Sequence, residues 1–127
     1  MTNHLFDALF APLAGREGPL LMLADGRRIS GDAFLRMVAR QANALRGLGL
    51  GKGDRIAVQV AKTPEALAIY GAAVALGAIF LPLNTAYTAD EVSYFLGNAT
   101  PRVFVCDGGK AAVMAPVAAA HGARMVT

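Results

Sequence analysis

Apolar positions in this chain follow two rhythms, a recurrence every three to four residues and short unbroken runs, and the two alternate along its length. Leu5, Phe6, Leu9, Phe10 and Leu13 keep helical spacing, which predicts an amphipathic opening helix that stops at Pro12 or Gly15. Residues 20–24 and 27–30 read as two short strands around Asp25-Gly26, a dipeptide that tolerates the positive φ of a hairpin turn. Ser30 is placed to cap the next helix, with Asp32 against the positive end of its dipole. Phe34, Met37, Val38, Gln41, Leu45 and Leu48 mark the core face of that helix, and Arg36 and Arg40 point to water.

The chain is organised around residues 63–87. No charge follows Glu65 in this stretch, and residues 66–83 approach the length that a bilayer core requires. The punctuation inside it predicts two soluble elements instead. Thr63 suits an N-cap, Pro64 the first helical position, and Glu65 the first turn. Gly77 is a natural terminator, so a helix over 64–76, apolar nearly all round, precedes a buried strand over 79–83 that stops at Pro82. A strand over 55–60 comes before it. Thr88 and Glu91 then have the spacing of a capping box, opening a helix with Val92, Phe95 and Leu96 inward that ends at Gly97-Asn98 or by Pro101. A buried strand over 102–106 follows. Residues 111–121 are helical, with Pro116 kinking the helix or starting a second piece, and residues 123–127 begin a further strand.

From residue 55 onward strands and helices alternate, which predicts an α/β fold with a largely parallel sheet. Residues 1–53 (opening helix, hairpin, amphipathic helix) lead into a parallel β/α layer over 54–127. At 127 residues the chain is one domain or one piece of a larger one. An apolar fraction of 55% is high for a small free-standing domain, so some apolar surface is expected to lie under further chain. Residues 123–127 read as an apolar strand with nothing after it to cover it, the pattern of a chain that continues beyond Thr127.

Charge and cysteine usage narrow the function classes. The net charge of +3 is spread, with nine Lys/Arg against five Asp/Glu up to Pro64 and three against four after it. The basic residues lack interleaved aromatics, so they form a solvated face rather than a nucleic-acid surface. Cys106 stands alone, which excludes an internal disulfide and fits a reducing compartment. The first residues lack a basic n-region and Asp7 breaks the apolar run, so no export signal is read and a cytoplasmic protein is expected.

Candidate chemistry is sparse. Gly47, Gly49, Gly51 and Gly53 follow a helix and precede a strand, the reverse of a dinucleotide loop, and read as a turn. Gly108-Gly109-Lys110 is no phosphate loop, since Phe104 stands at the first glycine position and Ala111 replaces the magnesium-binding hydroxyl. Ligands of open parallel sheets sit beyond the carboxyl ends of strands, so the candidate loops are 61–63, 84–87 and 107–110. Asn84, Thr85 and Tyr87 either bind a ligand or satisfy loop backbone, the second being the better reading. Cys106 lies in an apolar strand with no basic partner nearby and reads as a packed thiol. His4 and His121 have no metal-ligand spacing around them. No catalytic, cofactor-binding or metal residue is assigned.

Several segments resemble a known family. Residues 28–35 (RISGDAFL) are similar in part to the early strand-to-helix segment of adenylate-forming enzymes, with the hydroxyl of Ser30 kept and Gly31 replacing an aromatic. Residues 51–58 (GKGDRIAV), Thr63-Pro64-Glu65 and residues 75–84 (ALGAIFLPLN) match closely. The chain thus resembles the start of the large N-terminal domain in the acyl-CoA synthetase, peptide-synthetase adenylation and luciferase superfamily. Within it, residues 81–88 (LPLNTAYT), Glu91, Tyr94-Phe95 and residues 105–107 (VCD) look most like the malonyl-CoA synthetases. The resemblance implies, for a complete enzyme, a carboxylate substrate such as malonate, with ATP, Mg2+ and CoA. The family's phosphate loop, adenine and magnesium segments and mobile C-terminal domain have no counterpart in these residues, so this chain alone is expected to be inactive and to bind none of these cofactors. Two alternatives stay open: a synthetase for another carboxylic or fatty acid, and a non-catalytic free-standing α/β binding module.

Overall fold

The computed structural model describes residue 6, residues 19–22 and residues 28–127. Strands β1 (Pro19–Met22) and β2 (Arg28–Ser30) pair antiparallel, as the Asp25-Gly26 signal predicts, although the turn itself lies outside the described residues. So does the expected opening helix, except that Phe6 is helical and packs half-buried against the first core. Helix α1 (Gly31–Gly47) starts at Ser30, whose hydroxyl accepts from Ala33 N at 3.1 Å. Phe34, Val38, Ala42 and Leu45 are its buried face, while Met37, Gln41 and Leu48 are only half-buried.

The main sheet has the order β4-β3-β5-β6 and is parallel throughout, from β3 (Arg55–Gln59), β4 (Ile79–Pro82), β5 (Val103–Cys106) and β6 (Arg124–Val126). Helices α2 (Pro64–Leu76), α3 (Ala89–Ala99) and α4 (Ala111–Ala120) make the crossovers. In β3 the alternation of the pleat sorts side chains between two cores. Ile56 and Val58 meet α1 and α2 on one face, with Val103 and Val105 beside them. Ala57 meets α3 and α4 on the other, beside Phe104 and Cys106. With both faces covered, β5 is apolar throughout and β3 is apolar from Ile56 to Val58, as buried parallel strands tend to be.

Helix α2 occupies the residues expected. Thr63 Oγ1 accepts from Ala66 N at 3.1 Å, Pro64 stands at the first turn, and Gly77 takes a φ of 72° at the far end. At 13 residues it is too short to cross a bilayer, and no helix among the described residues is long and apolar enough to do so. The next strand is shorter than predicted, with Leu83 outside it, although Leu83 N still donates to Val58 O at 2.8 Å.

Three expectations are decided in the second half of the chain. Helix α3 runs through Gly97 and Asn98 to Ala99 and is closed by Thr100 at a φ of 46°, so of its two expected stops the one by Pro101 holds and the glycine does not end it. Phe95, expected inside, is 37% exposed and lies against Tyr87 rather than in the core. Pro116 is tolerated inside an unbroken α4, on its exposed side, after a 3-10 turn over Gly108–Lys110.

Candidate functional site

The crossover from β3 leads to β4 on one side, and the next crossover returns to β5 on the other. The carboxyl ends of β3 and β5 therefore flank the point where the direction of winding reverses, the usual crevice for a ligand in such sheets. All three candidate loops converge here. They are tied to one another by side chains.

Asp107 reaches across the crevice from the end of β5 and accepts from Ala61 N at 3.1 Å through Oδ2 and 3.4 Å through Oδ1. Lys110, in the turn after β5, donates through Nζ to the Thr85 carbonyl. Gln59, the last residue of β3, is fully buried and donates through Nε2 to Asn84 O at 2.9 Å and Tyr87 O at 3.2 Å. Its Oε1 has no partner among the described residues. The loops after β3, β4 and β5 thus share one network at the ligand edge.

The individual candidates are accounted for within it. Asn84 Oδ1 accepts from Ala86 N at 2.9 Å, a side chain closing its own turn, and Asn84 O also accepts from Tyr87 N. Tyr87 stacks on Phe95 with ring centroids 5.1 Å apart. Thr85 contributes its carbonyl. Cys106 is 1% exposed among the α3–α4 core, and burial pushes its thiol above the ordinary 9.0, with the Asp107 charge adding to the shift and Lys110 opposing it. A thiol held neutral in this way packs and does not attack. His121 ends α4, and its Nε2 lies 2.9 Å from Ser93 Oγ, far from this edge in role and sequence. His4 lies outside the described residues.

The residue that sequence reasoning missed is Gln59. Its signal was an amide set among Ile56, Ala57, Val58 and Val60, an apolar run otherwise. Beside the edge, between α2 and the ends of β3 and β4, opens a groove of about 560 Å³ lined chiefly by Val60, Leu67, Tyr70, Phe80 and Leu83, with Lys62 and Thr63 at its rim. Among the described residues no cluster of His, Cys, Asp and Glu fits a metal ion. Gly108–Lys110 is a 3-10 turn whose lysine is already engaged, so it offers no cradle for a triphosphate. That turn, with Ala111 after it, also lacks a hydroxyl for magnesium.

Sheet, crossovers and cross-tied edge define one α/β layer with a parallel sheet at its centre. A family model described as "AMP-binding enzyme" matches residues 14–126, and the chain belongs to that family. Crystal structures of MatB from Rhodopseudomonas palustris, apo and ATP-bound, superpose on 98% of this chain at 41% identity, with TM-scores of 0.92 and 0.91. The acetoacetyl-coenzyme A synthetase of Rhizobium meliloti (strain 1021) is 34% identical over 82 residues, 64% of this chain. The inhibitor-bound N-terminal domain of FACL13 from Mycobacterium tuberculosis shares the fold, with a TM-score of 0.82 over 99% of the chain at 24% identity. The chain spans 25% of the MatB chain and 13% of the acetoacetyl-coenzyme A synthetase.

Proposed function

We propose that this chain is the N-terminal portion of an AMP-forming acyl-CoA synthetase whose substrate is malonate. In the reaction of such an enzyme, the carboxylate attacks the α-phosphate of ATP, forming an acyl-adenylate and releasing pyrophosphate. The thiol of CoA then adds to the acyl carbon and AMP leaves. Magnesium and cationic groups offset the phosphate charge in the first step. The part of the described residues in this reading is scaffold and the shape of the loop edge.

The observation that carries the reading is the superposition of nearly the whole chain on about a quarter of MatB, one of whose structures holds ATP. The choice of malonate rests on the resemblance of residues 81–107 to malonyl-CoA synthetases. A cytoplasmic location is proposed on the same basis, together with the lone buried Cys106. The test is ATP–pyrophosphate exchange with the complete enzyme, comparing malonate with longer and aromatic acids. Malonate is expected to give the largest kcat/KM. A larger value for another acid would replace malonate and keep the synthetase. The 127-residue chain by itself is expected to form no hydroxamate above a heat-killed control, and formation by that chain would sink the scaffold assignment.

A further inference from the structure

We infer that Gln59 is a positioning residue. Its buried amide holds the 84–87 loop in the shape that the complete enzyme uses at its ligand edge, an inference that rests on the function proposed above. β3 is an interior strand with a neighbour on each side, and its other buried side chains are Ile56, Ala57 and Val58. Nothing in sheet formation asks for a polar residue at its end. Yet Gln59 is the one buried polar or charged side chain among the described residues.

Its geometry is that of a clamp. The two N–H groups on Nε2 donate to Asn84 O and Tyr87 O, the carbonyls at the two ends of the loop, while Lys110 holds Thr85 O between them. A neutral side chain with two donors on one nitrogen must be Asn or Gln, and Asn is shorter by a methylene. The cost of the arrangement is visible in the same residue, because Oε1 is buried without a partner. A leucine of similar volume would remove that orphan acceptor, at the expense of the donors that fix the loop. A buried polar group kept although half-satisfied calls for an explanation, and breaches of local packing rules concentrate where a protein holds a functional shape.

Two variants of the complete enzyme separate the clamp from simple packing. Gln59→Leu keeps the volume and removes both donors. Gln59→Glu keeps the shape, but when ionised it sets a carboxylate against two carbonyl oxygens, and when protonated it regains one O–H donor. Burial raises the pKa of such a carboxyl, so the change of state falls within a workable pH range. The titratable groups on the elements around it are Cys106, its partner across the β3–β5 pairing, Tyr87 and Lys110 on the tied loops, Asp107 at the end of β5 and Glu91 in the first turn of α3, and comparison with the wild type at each pH removes their contribution. In Gln59→Leu, amide exchange at residues 85–88 is expected to be at least tenfold faster, with Ile56, Val58 and Val103 within twofold of the wild type. The kcat/KM for CoA thioester formation is expected to fall at least tenfold. Gln59→Glu is expected to behave like Gln59→Leu at pH 8 and to recover towards the wild type at pH 5, which also secures one folded variant. Loop exchange or kcat/KM within twofold of the wild type in Gln59→Leu, or a Gln59→Glu defect indifferent to pH, overturns the inference. If the wild-type enzyme forms no CoA thioester from any acid, the functional reading falls by itself, and the exchange rates still decide the clamp.

Discussion

His121 explains a glycine that looks like a helix stop. A Cβ added at Gly97 would lie 3.2 Å from His121 Cε1, and the imidazole is held by Ser93, so the ring has little room to retreat. Replacing an interior helical glycine by alanine ordinarily adds about 0.5–1 kcal/mol. Here Gly97→Ala is expected to bring no gain in the wild type and to recover about that amount in a His121→Ala background, as chemical denaturation of the four proteins would show. In the core beneath α3 and α4, burial holds the Cys106 thiol above 9.0, so the folded state keeps its proton longer than the unfolded state does. The stability from this group is complete below pH 9.0 and is lost as pH rises through the higher folded value. Urea midpoints measured from pH 8 to 11 should fall along that limb, and Cys106→Ala should flatten it. The packed character of Cys106 was legible because hydropathy alone decides it. Gln59 was not, because its meaning lies in carbonyls 25 and 28 residues away.

At the scale of elements, what could be read was what is local. Thr63 and Thr88 cap their helices through the N–H groups three residues on, and Glu91 completes the box by accepting from Thr88 N at 3.1 Å. These signals sit within one turn of the backbone they serve, so sequence spacing suffices. Of the two stops read for α3, the one by Pro101 is met, since the helix closes at Thr100, and the one at Gly97 is not, because Gly97 answers to His121, a contact made only after folding. The real terminator, Thr100, is a β-branched residue at a φ of 46°, where L side chains are disfavoured by about 1–2 kcal/mol. Part of that is recoverable. Thr100→Gly relieves the strain while giving the unfolded chain more freedom, so a net gain of about 0.5–1 kcal/mol is expected in thermal or urea unfolding. A loss would mean that the hydroxyl's hydrogen bond to Ala99 O, 2.8 Å long, outweighs the strain.

For the whole molecule, the parallel sheet was legible from the alternation of elements, and the division between its two cores follows from the pleat of β3. The ligand edge was legible only as a set of loops, since the cross-ties among Gln59, Asp107 and Lys110 join residues that no periodicity links. The chain spans a quarter of the MatB chain it superposes on, and the reading of its loops stops with the residues it contains. The placement of Pro82 has a bearing on colloidal behaviour as well. Ile79 and Leu83 turn their N–H groups to β3, so the parallel alternation leaves the backbone groups of Phe80 and Pro82 on the outer margin. Among the described residues β4 has no strand on its outer side, and because Pro82 has no N–H that margin offers a foreign strand a single donor along its length. An apolar chain with an open sheet margin is a hazard at the concentrations of a crowded cell. One proline makes this margin a poorer template for such pairing.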